Sequence, residues 1–139
     1  MVEHRPGTGW IAERLAELAA KWRPCAVVVD PGGPAGSLIP ALEAAGIALV
    51  KPTARDVVQA TGAFLDAVTH GTLRHRGQVP LTAAAAGARL RPLGDAHAFT
   101  RKGTTVVISP LVAAALARWA WTTRAHLPRD VQLYVVEAS

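Results

Sequence analysis

The N-terminal third of the chain combines an amphipathic segment with continuous apolar segments. Apolar residues recur at spacings of three and four from Ile11 to Trp22 and predict a helix that Pro24 ends. The segment "CAVVVD" that follows has no polar alternation, which is typical of a strand covered on both faces. "IALVKP" predicts a second strand, and the stretch between the two strands predicts a helix capped by Ser37.

The remainder of the chain continues the alternation of helices and strands. Thr53 and Asp56 form a capping box that predicts a long helix ended by Gly71. "PLTAAAAGARL" predicts a further helix, "HAFTRKGTTVVI" a strand or hairpin, and "SPLVAAALARWAW" an apolar helix capped by Ser109. This order predicts the α/β class, with helices flanking a mixed sheet.

The composition of the chain predicts a closely packed core and a basic surface. Half of the 139 residues are hydrophobic but only 5% are aromatic. We expect the bulky core members to be Trp10, Trp22, Phe64, Trp119 and Trp121. A net charge of +5 favours a polyanionic partner, and the single cysteine excludes an internal disulfide.

The chain has the length of one domain, which we expect over residues 1–127. Residues 128–139 then form a C-terminal strand or tail that contains "VQLYVV". No stretch approaches 18 consecutive apolar residues, and the N-terminus lacks the apolar core of a signal peptide. We therefore expect a soluble, cytoplasmic protein without a membrane partner.

Asp30 stands between the strand "AVVVD" and the glycine-rich bend "DPGGPAG". The bend fits neither the dinucleotide-binding nor the Walker spacing, because its glycines are wrongly placed and no lysine follows. Pro31 and Pro34 also lack the N–H groups that a phosphate cradle uses. Three interpretations stay open: a metal-ligating aspartate at the carboxyl edge of a sheet, a phosphate site, or a local turn capped by Asp30.

Four segments carry a family resemblance: "RPGTGWIAERLAEL", "VVVDPGGPAGSLIPALEAAGI", "AFLDAVTHGTLRHRGQ" and "ARLRPLGDAHAF…ISPLVAAALARWAW". Together they resemble the C-terminal nuclease domain of tailed-phage terminase large subunits, of the type common in phages of actinobacteria. The resemblance implies an RNase H-like fold and cleavage of double-stranded DNA during genome packaging, in the cytoplasm of a bacterial host. It also implies two divalent ions, Mg²⁺ or Mn²⁺, held by a carboxylate cluster that includes Asp30.

The chain supplies few further carboxylates for such a cluster. Eight of its ten acidic residues lie on predicted helices, near the N-terminus or in the tail, which leaves Asp30 and Asp95 as catalytic and metal-binding candidates. For Asp95, in a predicted loop, a metal role and a simple turn role both stay open. Relatives often carry an aspartate where Val107 stands, and their first carboxylate lies on a strand upstream of the matching segments. We therefore expect a sheet that lacks its first strands and a carboxylate cluster that this chain fills only in part.

Six basic residues and one acidic residue lie between positions 74 and 102. The six are Arg74, Arg76, Arg89, Arg91, Arg101 and Lys102. Such a block either contacts the phosphates of a duplex, with an affinity that falls as salt rises, or forms a solvated basic face. With the resemblance we expect DNA contact, with Arg101 and Lys102 at the tip of a hairpin.

These observations predict a terminase nuclease-domain fragment that cleaves DNA with metal ions; whether it cleaves alone stays open. Its expected partners are double-stranded DNA and the other terminase components: the rest of the large subunit, the small subunit and the portal. One alternative is a non-catalytic DNA-binding or assembly remnant of a terminase, and another is a small-ligand domain that uses the glycine bend. An incomplete sheet would leave "AVVVD" at an apolar edge, so we also expect self-association through that edge.

Overall fold

The computed structural model describes residues 3–127, which form an α/β structure. The helices are α1 (Ile11–Trp22), a 3-10 helix (Pro34–Leu38), α2 (Ile39–Ala44), α3 (Ala54–Thr69), α4 (Val79–Gly87) and α5 (Ser109–Arg124). The strands are β1 (Val27–Val28), β2 (Leu49–Val50), β3 (Arg89–Leu93) and β4 (Ala96–Thr100). The predicted α/β class is confirmed, and the predicted final strand "VQLYVV" lies outside the described residues. No helix within residues 3–127 combines the length and the apolar content needed to cross a bilayer.

Within these residues the strands form two separate two-stranded ladders, whereas the sequence predicted one mixed sheet. β1 and β2 are parallel, with Val27 beside Leu49 and Val28 beside Val50. The amide of Val29 extends this pairing by donating to the carbonyl of Val50 at 3.0 Å. The ladder is short because the chain leaves it at the bend that begins with Asp30.

Helices cover both faces of the parallel ladder, as the apolar sequence of β1 predicted. On one face Val29 packs with Leu42 and Ile47, in a cluster that also receives side chains of α1. On the other face Val28 packs against a cluster that includes Leu116 of α5 and residues of α3. Because β1 is held from both sides, the backbone that carries Asp30 is fixed in position.

The other ladder is an antiparallel hairpin made by β3 and β4. Its turn lies at Gly94 and Asp95, and Gly94 adopts the left-handed φ of +64° that such a turn requires. At the opposite, open end of the hairpin Arg89 lies beside Thr100. The hairpin packs on α3 through Phe99, whose ring meets that of Phe64 edge to face, with 6.2 Å between centroids.

The prediction that Arg101 and Lys102 form the hairpin tip was wrong. Both follow β4 and lie at the open end, in a turn where the amide of Thr104 donates to the carbonyl of Arg101 at 3.2 Å. Gly94 and Gly103 both have positive φ, so both are turn positions. The strand register, which composition does not reveal, decides which of them joins the strands.

Helix α3 begins with the predicted capping box, which is confirmed. The amide of Asp56 donates to the Thr53 hydroxyl oxygen at 3.2 Å, and the amide of Thr53 donates to the Asp56 carboxylate at 2.8 Å. The hydrogen bond from the Thr53 hydroxyl, helped by that amide and by Arg124 and Arg55, holds the pKa of Asp56 below its ordinary value of 3.8. The box fixes the start of the helix that contacts both ladders.

Two of the five predicted core aromatics are exposed. Trp119 and Phe64 are buried as expected, but Trp22 is 53% and Trp121 65% exposed, so their assignment to the core was wrong. Trp22 is the last residue of α1, and Trp121 lies in the last turn of α5, directly after the buried Trp119 and Ala120. Helical spacing identified the apolar side chains but not which side of each helix the core covers.

Neither predicted serine cap forms. Ser37 lies inside the 3-10 helix, where its hydroxyl donates to the carbonyl of Pro34 at 3.0 Å. Ser109 is the first residue of α5, and the cap position is taken by Ile108 without a side-chain hydrogen bond. In both places proline already sets the helical φ of the first turn, so the helix starts without a hydroxyl cap.

Candidate functional site

The bend after β1 is closed by its own backbone. The Asp30 carboxylate oxygen Oδ1 accepts the amide of Gly32 at 2.9 Å, and the Asp30 carbonyl accepts the amide of Gly33 at 3.2 Å. The amide of Gly36 donates to the carbonyl of Gly33 at 2.9 Å. These amides are used within the bend, so the geometry does not favour the phosphate-cradle interpretation.

Two glycines allow the bend to fold tightly around the aspartate. A Cβ on Gly36 would lie 2.4 Å from the carbonyl oxygen of Pro31, a separation that real Cβ atoms do not reach. A Cβ on Gly33 would lie 3.1 Å from Oδ2 of Asp30. The glycines of "DPGGPAG" therefore serve close packing and hold the Asp30 carboxylate against the bend.

Asp30 lines a cleft where the bend, α3, α5 and the hairpin meet. This Asp30 cleft has a volume of about 170 Å³. Its charged and hydroxyl-bearing lining residues are Asp30, Thr61, Arg91, Thr100 and Arg101. The structure thus brings an acidic residue that follows the parallel ladder and two arginines of the hairpin region to the lining of one cleft.

Four of the six predicted DNA-binding residues gather on the hairpin and the turn that follows it. We call this group the basic hairpin, and it consists of Arg89, Arg91, Arg101 and Lys102. All four are exposed. Within residues 3–127 the ion pairs involve other basic residues, so none of the four is neutralised by a carboxylate of the described chain. An uncompensated basic group of this kind attracts polyanions.

The remaining predicted residues lie elsewhere. Arg74 and Arg76 are exposed in the segment between α3 and α4 and do not line the Asp30 cleft. Asp95 lies at the hairpin turn, separated from Arg101 by the whole of β4, which spans about 17 Å. The structure therefore does not bring Asp95 to the cleft that Asp30 and Arg101 line.

Val107 lies in the segment between β4 and α5. It is 64% exposed and belongs to no strand. The predicted strand or hairpin "HAFTRKGTTVVI" included Val107, and that part of the prediction was wrong because β4 ends at Thr100. Ser109, two residues further on, borders the neighbouring groove together with Asp30 and Arg101.

The implied metal ions can be tested against these residues. Within residues 3–127 no three His, Cys, Asp or Glu side chains gather in a group that could hold a metal. Asp30 contributes one carboxylate, and its Oδ1 already accepts one amide. One carboxylate suits a Mg²⁺ ion whose other ligands are water and phosphate, but two ions need more carboxylates than this cleft supplies.

Sequence reasoning overlooked three hydroxyl residues beside Asp30, namely Thr61, Thr100 and Ser109. Thr61 is buried in α3, and its hydroxyl donates to the carbonyl of Val57. Thr100 ends β4, and its hydroxyl accepts the amide of Lys102 at 3.2 Å. Thr100 and Ser109 lie at the ends of elements, a signal that became informative once the strand pairing was known, whereas Thr61 lies in the middle of α3.

Comparison with known proteins adds no relative. A scan of protein-family models, a search of curated proteins and a search of solved structures each found no match to this chain.

Proposed function

We propose that the chain is part of an RNase H-like terminase nuclease domain that holds duplex DNA on the basic hairpin, next to the carboxylate of Asp30. One observation carries the proposal: Asp30 lines the same cleft as Arg91 and Arg101. A half-buried strand packed between helices positions Asp30, while an exposed hairpin provides the basic groups. This is the combination needed to bring a phosphate to a metal ligand.

The two arginines have a direct role in this proposal. A guanidinium group donates two parallel hydrogen bonds to a phosphate, so Arg91 and Arg101 would fix the DNA backbone at the cleft. Arg89 and Lys102 would extend the contact along the duplex. Because phosphates dominate such binding, its affinity falls steeply as the salt concentration rises.

Asp30 has the opposite effect on a phosphate and therefore requires a cation. A carboxylate and a phosphate in one small cleft repel each other unless a positive charge lies between them. A bound Mg²⁺ or Mn²⁺ would supply that charge and polarise the phosphate. The other carboxylates of a two-ion centre would come from another part of the terminase, so we assign no hydrolytic step to the described residues.

A second candidate, a non-catalytic DNA-binding remnant, rests on a different observation. Oδ1 of Asp30 is engaged by the amide of Gly32, which is the arrangement of an ordinary aspartate turn. In that case the basic hairpin binds DNA and Asp30 only shapes the bend. The two candidates differ in whether a divalent ion changes DNA binding.

The first test is binding of a fluorescent duplex by anisotropy, in a series from 50 to 200 mM salt. For the double variant Arg91→Ala/Arg101→Ala we expect affinity at least tenfold weaker and a salt slope smaller by about two, because two phosphate contacts are lost. Lys21→Ala on α1 is the matched control and stays within twofold of the native chain. Unchanged affinity of the double variant would contradict the proposal.

The second test separates the two candidates with Asp30→Asn, which keeps the oxygen that accepts the Gly32 amide but removes the charge. For a metal ligand we expect Mg²⁺ to tighten DNA binding by the native chain and to have no such effect on the variant. An equal Mg²⁺ response in both chains selects the non-catalytic candidate. Nicking of a plasmid by the native chain that survives Asp30→Asn would rule out Asp30 as the metal ligand.

A further inference from the structure

The turn after β4 is held by the side chains of two threonines. We call residues 100–104 the threonine turn, in which half-buried Thr100 and Thr104 flank the exposed Arg101, Lys102 and Gly103. The amide of Lys102 donates to the Thr100 hydroxyl oxygen at 3.2 Å. The carbonyl of Arg101 accepts the Thr104 hydroxyl at 2.9 Å and the Thr104 amide at 3.2 Å.

These hydrogen bonds act on a single peptide unit. The carbonyl of Arg101 and the amide of Lys102 belong to the peptide bond that joins the two residues, and such a unit is planar and rigid. Its N–H is held by Thr100 and its C=O by Thr104. Because the unit is held at both ends, the backbone from which the Arg101 side chain extends has a defined direction.

The threonine turn is itself attached to larger elements. At its start Thr100 lies beside Arg89 in the hairpin ladder. At its end the Thr104 hydroxyl also lies 3.3 Å from the carbonyl of Val106. Val106 packs closely on the last residue of α4, since a Cβ on Gly87 would clash with its Cγ2. The turn is therefore connected to the hairpin on one side and to α4 on the other.

A restraint of this kind matters because the turn carries several like charges. Arg89 lies over it, with its Cδ 3.9 Å from the place that a Cβ on Gly103 would take. Arg89, Arg101 and Lys102 thus share one turn, and their charges repel one another. Arg101 nevertheless lines both the cleft and the neighbouring groove that Asp30 lines. A fixed backbone opposes the repulsion and keeps Arg101 beside Asp30.

We propose that Thr104 is a positioning residue for DNA binding, whose hydroxyl keeps Arg101 at the Asp30 cleft before DNA arrives. The inference rests on the proposed function and extends it to a residue outside the cleft. Within the described chain Thr104 is not part of the cleft lining, so it acts on DNA through Arg101. Ordering a mobile group on binding costs free energy, and a group already in place avoids that cost.

The first test measures binding of a fluorescent duplex by anisotropy. Thr104→Val removes the hydroxyl at nearly constant volume, and Thr104→Ser keeps it. We expect Thr104→Val to bind about threefold to tenfold more weakly, as loss of one hydrogen bond predicts, and Thr104→Ser to stay within about twofold of the native chain. Thr105→Val, at an exposed neighbouring position, is the matched control. Native affinity of Thr104→Val, or a serine variant as weak as the valine variant, would overturn the proposal.

The second test asks whether the effect passes through Arg101. Thr104→Val is combined with Arg101→Ala and, as a control, with Arg91→Ala. Substitutions of residues that act through each other are not additive, whereas those of independent residues are. We therefore expect the loss of affinity caused by Thr104→Val to be smaller in the Arg101→Ala chain than in the Arg91→Ala chain. An equal or larger loss in the Arg101→Ala chain would show that Thr104 does not act through Arg101.

The third test needs no DNA and uses backbone ¹⁵N relaxation at the Lys102 amide. We expect its order parameter to fall from about 0.85 in the native chain toward about 0.6 in Thr104→Val, because one end of the peptide unit is released. The Val29 amide, which donates to the carbonyl of Val50, is the internal control and should not change. An order parameter at Lys102 that does not fall would contradict the proposal.

The tests separate failure of this inference from failure of the proposed function. If Arg101→Ala leaves DNA affinity unchanged, the role of Arg101 in DNA binding is wrong, and the inference fails with it. If Arg101→Ala weakens binding while Thr104→Val binds like the native chain, only the role of Thr104 is wrong.

Discussion

The two ladders of this protein differ in what surrounds them and in what they contribute. The parallel ladder of β1 and β2 is apolar, lies between helices and ends in one acidic residue, Asp30. The hairpin of β3 and β4 carries Arg89 and Arg91 on an exposed strand. The parallel ladder thus holds the Asp30 carboxylate in a fixed position, and the hairpin supplies positive charge at the surface. The candidate site lies where the two ladders meet.

The difference also shows why the two ladders should respond differently to substitution. The position of the Asp30 carboxylate depends on the packing of helices around the parallel ladder, so it should change when that packing is loosened. A charge on an exposed hairpin depends little on packing, and its removal should affect binding while stability stays the same. The following predictions test this contrast, from the largest expected effect to the smallest.

Loss of core packing under the parallel ladder should have the largest effect. Leu42 is 1% exposed and packs with Val29 and Ile47. We expect Leu42→Ala to lower the free energy of unfolding by about 2–5 kcal/mol in urea denaturation, because a cavity replaces a buried side chain. The control Val79→Ala, at a surface position, should change it by less than about 0.5 kcal/mol. Similar losses for both variants would contradict the assignment of the core.

The bend that holds Asp30 should show the next largest effect. Gly36→Ala forces a Cβ against the carbonyl of Pro31, and we expect a loss of about 1–3 kcal/mol in the same denaturation experiment. Gly62 in α3 is the matched control, because a Cβ there meets no atom within 4 Å. Gly62→Ala should raise stability by about 0.5–1 kcal/mol, since alanine favours a helix. If Gly36→Ala left the free energy of unfolding unchanged, the close approach of Gly36 to the carbonyl of Pro31 would be contradicted.

The start of α3, the helix shared by both ladders, should show the smallest effect. Thr53→Ala removes the cap, and we expect a loss of about 1 kcal/mol at neutral pH. Because folding lowers the pKa of Asp56, the stability from this carboxylate is present above the unfolded pKa and is lost as pH falls through the lower, folded value. The free energy of unfolding, measured in urea, should therefore differ less between the native chain and Thr53→Ala below about pH 4 than at neutral pH. A difference that stays constant down to pH 2 would exclude a role for the ionised carboxylate.

Sequence patterns predicted the elements better than their arrangement. The stripe of α1, the apolar strand before Asp30 and the capping box of α3 depend on nearby residues, and all three are present. The hairpin tip was misplaced because two glycines suit a turn and only pairing across the strands selects Gly94. Helix spacing could not tell that Trp121 would be exposed, because exposure depends on what packs beside the helix.

For the candidate site too, the sequence predicted individual residues but not how the fold brings them together. The sequence identified Asp30 and the basic block, since a strand end and a run of arginines are local features. It could not show that Arg91 and Arg101 line one cleft with Asp30 while Asp95 lies at the other end of β4. Those distances depend on how the hairpin packs across α3, which no local pattern encodes.

The exposed indole of Trp121 has a practical consequence for experiments in solution. It lines a groove of about 360 Å³ between β1 and α5, whereas Trp119 is buried in the core. Fluorescence from Trp121 should therefore shift to shorter wavelength when a molecule that excludes water occupies this groove. Occupancy of the groove between β1 and α5 can therefore be followed by intrinsic fluorescence, without an attached dye.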